Sequence, residues 1–151
     1  MLRVLAPMAG HSLAVDEVPD PVFAAGLVGP GVAIRPAPGR QTAVSPIAGR
    51  LVKLHPHAFV VVDATGQGVL VHLGIDTVQM QGDGFELRAE EGGRVEAGDP
   101  VVSWDPEYVE TAGRSPVSAV VALDCDPAVV RRRPVGVDVE AGDLLLEVEC
   151  G

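Results

Sequence analysis

The chain has 151 residues, the length of one domain, and 47% of them are apolar, enough to bury a core and too many for intrinsic disorder. Eleven Lys and Arg stand against 21 Asp and Glu, for a formal net charge of −10. That balance excludes nucleic acid and a polybasic membrane contact and favours a basic protein partner.

Only 3% of the residues are aromatic, so the core has to be built from Val, Leu, Ile and Ala. Met1-Leu-Arg-Val-Leu5 runs at once into Ala6-Pro-Met-Ala-Gly10, with no apolar h-region, so no signal peptide is expected. No apolar run approaches the ~18 residues of a membrane span. With only Cys125 and Cys150, a cytoplasmic chain with reduced thiols is expected. Asp20-Pro21 offers an N-cap carboxylate followed by Pro at the first helical position, which predicts a turn or two of helix over Val22-Phe-Ala-Ala-Gly26. Short Val-rich runs bounded by Gly and Pro then read as strands: Val32–Arg35, Arg50–Leu54, Ala58–Val62, Gly68–Leu73 and Val101–Trp104. A second helical turn is expected after Asp105-Pro106, a strand over Ser118–Leu123 and a third helical turn after Asp126-Pro127. Strands over Val135–Val139 and Leu144–Val148 close the chain. Many short strands at regular spacing predict an all-β fold, a sandwich or a barrel. Val95-Glu-Ala-Gly-Asp99 recurs as Val139-Glu-Ala-Gly-Asp143, and Ala6-Pro-Met-Ala-Gly10 resembles Ser45-Pro-Ile-Ala-Gly49. The repeats suggest a duplicated β unit closing over one core.

Four histidines are the candidates for chemistry: His11, His55, His57 and His72. Alternation in Gly68–Leu73 puts Leu70 and His72 on one face and Val69, Val71 and Leu73 on the other. The all-aliphatic face should be the core face, which turns His72 outward with Leu70 beside it. The same alternation groups His57 with Phe59 and Val61. If the two segments pair, the two imidazoles could be brought side by side on one surface. Such a pair suits phosphoryl or metal chemistry, provided that a second group fixes the tautomer of the reacting ring. Ordinary half-buried histidines would look the same at this level. Gly29-Pro-Gly31 and Gly66-Gln-Gly68 read as turns and not phosphate cradles, and Arg131-Arg-Arg133 as surface charge.

The order of several segments resembles the glucose-type enzyme IIA domain of the bacterial phosphoenolpyruvate:sugar phosphotransferase system. The segments are Ala6–Gly10, Val18-Pro-Asp-Pro-Val-Phe23, Leu27–Ile34, Ser45–Gly49, His57-Ala-Phe59, Val71-His-Leu-Gly-Ile-Asp-Thr-Val78, Gly82-Asp-Gly-Phe85 and Glu91–Asp99. The resemblance implies one compact antiparallel β-sandwich over residues 1–151, with duplicated halves and a few one-turn helices. It implies a phosphoryl carrier that accepts the group from phospho-HPr on His72 and passes it to the IIB domain of a glucose- or N-acetylglucosamine-type permease. His57 takes the place of the supporting histidine. Asp20, Asp76, Val22, Phe23, Leu27, Val28, Leu70 and Val78 take places on the partner-docking surface. No cofactor is required, although His57 and His72 could share a zinc ion with a partner's carboxylate, and the resemblance extends to members of the family that also have regulatory protein targets. The pattern departs at His55-Pro-His57, where the family often has Thr-X-His in a slightly longer segment, which leaves His55 as an extra candidate. The amphipathic N-terminal arm of some members is absent from the start of the sequence, so no membrane anchoring is expected.

Two other classes compete with this reading. A biotinyl- or lipoyl-type carrier also uses Val-Glu-Ala-Gly-Asp turns but needs a lysine at a hairpin tip, and the only lysine, Lys53, lies inside a strand segment. A zinc-dependent hydrolase would use His55-X-His57 and His72-X-X-X-Asp76, a ligand order opposite to that of the peptidases it would resemble.

Overall fold

The computed structural model describes residues 1–26 and 28–149. In chain order the strands are β1 (Leu2–Leu5), β2 (Gly10–Ala14), β3 (Gly31–Pro36), β4 (Gln41–Val44), β5 (Gly49–His55), β6 (Ala58–Val62), β7 (Gly68–His72), β8 (Phe85–Leu87), β9 (Arg94–Val95), β10 (Pro100–Trp104), β11 (Ser118–Ala122), β12 (Val130–Arg132), β13 (Asp138–Val139) and β14 (Leu144–Val148). Two short helices, α1 (Pro21–Ala24) and α2 (Pro106–Thr111), start at the Asp-Pro pairs, each with the aspartate capping the first turn.

Among the described residues all strand pairs are antiparallel. An eight-stranded sheet runs β13-β2-β3-β11-β7-β6-β5-β9, and two three-stranded sheets run β1-β14-β12 and β4-β10-β8. The main core lies between them and is mostly aliphatic, with the aromatic Trp104 and Phe59 as its largest members. The large sheet is also covered on its other face. Ala33, Ala119 and Val121 point away from the main core and, with Val15, Val18, Phe23, Ile75 and Val117, form a second apolar cluster. The central strand β11 is therefore buried on both faces, and all five of its residues are buried, which explains a run with no polar residue after Ser118.

The repeats are structural. In both Val-Glu-Ala-Gly-Asp turns the aspartate accepts from the glutamate N–H at 2.8 Å. In both the glycine sits at positive φ, 94° for Gly98 and 95° for Gly142, and donates at 2.9 Å to the carbonyl of the other repeat motif, Ser45 or Ala6. Gly10 and Gly49 open equivalent strands, and a Cβ on either would lie 2.2 Å from a carbonyl oxygen of the neighbouring strand. Two copies of one unit thus interlock through matching hydrogen bonds.

Two expected elements differ. Only Asp138 and Val139 of the Val135–Val139 run form a strand, because Gly136 turns at φ 84° and Val135 and Val137 are exposed. After Asp126-Pro127 a single 3₁₀ turn ends at Val129, and Val130–Arg132 pair with β14 as an edge strand.

Candidate functional site

His72 ends β7, directly opposite Ala58 of β6 and Ala119 of β11. Alternation holds here: Val69, Val71 and Leu73 are fully buried in the main core, and Leu70 and His72 point to the other face. That face is not open solvent. Leu70 is half-buried against the second cluster, and the Phe23 ring, carried by α1, meets His72 edge-on at 5.3 Å between centroids. The small alanines on both neighbouring strands leave room for the imidazole.

The Nδ1 of His72 lies 2.6 Å from the Gly74 carbonyl oxygen. A carbonyl can only accept, so Nδ1 carries the proton and Nε2 keeps its lone pair. The loop that supplies this carbonyl is braced. Thr77 Oγ1 donates to the Leu73 carbonyl at 2.7 Å, and Arg114 donates to the Asp76 carbonyl at 3.1 Å and to the Gln79 side chain at 2.9 Å. Gly74 and Asp76 both adopt positive φ, 78° and 58°, which folds the loop back under the ring.

His57 arrives by a different route. Strict alternation would send its ring to the main-core side with Phe59 and Val61, away from His72. Instead Pro56 and His57 form the turn between β5 and β6, outside the pleat. The His57 carbonyl is held by the Leu73 N–H at 2.7 Å, and the ring reaches 5.5 Å from that of His72 at 69°. His55, the last residue of β5, stacks on His57 at 5.6 Å and 21°. His11 is engaged elsewhere, with its Nδ1 3.0 Å from Asp138 Oδ1.

The pKa of His72 lies below the usual value because the ring is buried; the Gly74 carbonyl, Asp20 and Asp76 pull in the opposite direction without overcoming burial. The pKa of His57 is also lowered, by burial first and then by His72 and His55. Both shifts favour the neutral ring at pH 7, the form in which His72 Nε2 is nucleophilic.

Around this pair Val22 and Val78 are exposed, at 48% and 59%. Leu70 and Val28 are half-buried. Phe23 is 7% exposed, so it walls the imidazole and offers little free apolar surface. Leu27 lies outside the described residues. Asp20 is half-buried and Asp76 exposed. Among the described residues no group of three His, Cys, Asp or Glu could hold a metal ion. The two imidazoles alone fall short of a four-ligand zinc site. Arg114 and the Gly74 carbonyl were not legible as site residues, since Arg114 is far from the histidines in sequence and a backbone carbonyl carries no sequence signal.

The sequence model of the family described as phosphoenolpyruvate-dependent sugar phosphotransferase system, EIIA 1, matches residues 2–127. The PTS system glucose-specific EIIA component of Bacillus anthracis is 38% identical over 141 residues, covering 92% of this chain and 84% of that protein. The PTS system N-acetylglucosamine-specific EIICBA component of Escherichia coli (strain K12) is 41% identical over 126 residues, which are 82% of this chain and 19% of that protein. The solved structure of glucose permease IIA from Mycoplasma capricolum superposes with a TM-score of 0.87 at 33% identity, covering 96% of this chain and 94% of that one.

Proposed function

The chain belongs to the EIIA 1 family of the phosphoenolpyruvate-dependent sugar phosphotransferase system, and from that membership we propose that His72 is the residue that carries the phosphoryl group and His57 the one that supports it. The protein is a phosphotransferase component that carries phosphoryl groups in sugar uptake, between an HPr-type donor and a IIB-type acceptor. The sugar is of the glucose or N-acetylglucosamine class, by likeness to relatives so named. No helix among the described residues is long and apolar enough to cross a membrane; we place the chain in the cytoplasm, where it meets a phosphorylated donor.

One observation carries the assignment: His72 Nδ1 is tied to the Gly74 carbonyl, so the free lone pair is on Nε2, beside a second imidazole. In the accepting step Nε2 attacks the phosphorus of the donor's phosphohistidine in line. The new N–P bond forms as the donor's N–P bond breaks, and the donor imidazole leaves with the bonding pair. His72 then bears a positive ring, still donating through Nδ1 to Gly74, and Asp20 and Asp76 favour that charge. His57 supplies an N–H to a phosphoryl oxygen. Catalysis is positioning and charge compensation, with no covalent chemistry asked of the other residues. The two carboxylates oppose a phosphoryl dianion, so they serve as seats for arginines of the partner, which place positive charge between acid and phosphate during transfer. Val22, Val78 and the half-buried Leu70 and Val28 supply the apolar contact, and Leu27 is included by resemblance. His11 takes no part.

The test is reconstitution with phosphoenolpyruvate, enzyme I and HPr, followed by mapping of acid-labile phosphate. His72→Gln should accept no label. His57→Gln should accept it and fail to pass it to the IIB domain. Normal histidine labelling of His72→Gln would refute the assignment.

A further inference from the structure

Three imidazoles stand in a row, and phosphoryl transfer as described uses only two of them. His55 lies directly across from Ala58, and Ala58 directly across from His72, so both histidines share one face of the sheet with β6 between them. The His57 ring fills that gap, 5.6 Å from His55 and 5.5 Å from His72. The backbone of His57 is held by Leu73, but its ring makes no side-chain hydrogen bond among the described residues. The aromatic contacts of that ring are the two imidazoles on either side. One of these is fixed, because His72 is tied to Gly74 and backed by Phe23. The other is His55, whose strand end is anchored by the Leu54 N–H on the Glu91 carboxylate at 2.9 Å.

We propose that His55 is a positioning residue for phosphoryl transfer: its ring, stacked on His57, holds that supporting imidazole in place beside His72. The inference rests on the phosphoryl-carrier reading of His72 and His57. A ring free to turn about its side-chain torsions presents its N–H to the phosphoryl oxygen for only part of the time, and rates fall when a supporting group is misplaced. The near-parallel, offset arrangement is a stacking geometry. Among the described residues the charged and titratable groups near His55 include His57, Lys53 two residues back on β5, Glu91 from the loop before β9, and His72 beyond the His57 ring. A positive charge on His55 opposes protonation of His57, so the His57 titration reports on the contact.

Two variants separate stacking from charge. His55→Ala removes both, and His55→Phe keeps a ring and removes the basic ring nitrogens. His55 is exposed at a strand end, so both chains should fold, and an unchanged Nδ1–H resonance of His72 confirms it. Two readouts are taken: transfer from the phosphorylated chain to the IIB domain, and histidine-ring nitrogen NMR of the unphosphorylated chain from about pH 5 to 8. His55→Ala should slow onward transfer about three- to tenfold, the worth of one ring pair, and average the His57 tautomers. His55→Phe should restore the rate while His57 titrates at higher pH than in the unaltered chain. Wild-type transfer by His55→Ala, or a His55→Phe variant as slow as His55→Ala, would overturn the inference. An unaltered chain that takes no label at His72 from phospho-HPr would instead overturn the carrier reading, with the ring spectra still showing whether His55 holds His57.

Discussion

On the His72 ring two influences oppose each other, and burial wins over the Gly74 carbonyl and the two carboxylates. A lowered histidine pKa in the fold has a definite sign for stability. Unfolded, both His57 and His72 titrate near the ordinary 6.5 of the free side chain. Below that pH the unfolded chain binds protons that the folded chain resists. Stability is therefore full above about 6.5 and falls as acid carries the pH down toward the folded values. Urea unfolding from pH 8 to 5 should show this decline, and a His57→Gln, His72→Gln double variant should flatten it; a decline unchanged by the double variant would contradict the lowered values. The carbonyl partner can be tested separately. A Cβ on Gly74 would lie 2.6 Å from Thr77 Cγ2 and 2.9 Å from the Ser115 oxygen, at φ 78°. Gly74→Ala should cost about 2 kcal/mol or more of stability and disturb the Nδ1–H resonance of His72. Alternation placed His72 correctly because β7 is a regular strand with three aliphatic residues on its other face. It misplaced the His57 ring because the pleat ends at His55 and the turn swings Pro56 and His57 out of register.

Helix α1 has only four residues, yet it links a cap, a wall and a charge. Asp20 accepts the Val22 N–H at 2.9 Å, and the turn it starts carries Phe23 onto His72. The two roles of Asp20 separate by substitution. Asp20→Asn keeps a capping oxygen and removes the charge, so stability should hold while the apparent KM for phospho-HPr rises. Asp20→Ala also loses the cap, worth about 1 kcal/mol, and loosens Phe23, so it should in addition lower the thermal midpoint. Equal thermal midpoints in the two variants would show that the cap does not hold α1. Val78→Asp introduces a charge at an exposed position and should change stability by less than about 0.5 kcal/mol; partner-dependent labelling should nevertheless slow several-fold. At this scale the Val-rich strands and the first two Asp-Pro helices were legible from β-branched content and cap chemistry. β2 (Gly-His-Ser-Leu-Ala) and β8 (Phe-Glu-Leu) lack that content and are held by their neighbours. The third Asp-Pro turn stopped early because Val130–Arg132 found β14 to pair with.

Taken whole, the molecule uses both faces of its large sheet differently: one seals the main core, the other carries the histidines beside a second apolar cluster. A reactive imidazole can then sit on a rigid strand without being enclosed, which suits a group handed from protein to protein. The −10 net charge belongs to the same design, because it acts before contact. A donor with a basic docking face is drawn in from beyond van der Waals range, and salt screens that attraction over about 10 Å at 0.1 M. The second-order rate of labelling by phospho-HPr should therefore fall about tenfold between low salt and roughly 0.5 M salt. The first-order transfer within the docked pair should change little, since its charges are close and partly desolvated. Asp20→Asn and Asp76→Asn together should shallow the salt dependence of the second-order rate. If the slope keeps its full value in that double variant, attraction comes from the remaining acidic surface and the two carboxylates beside His72 are not what the donor's arginines meet.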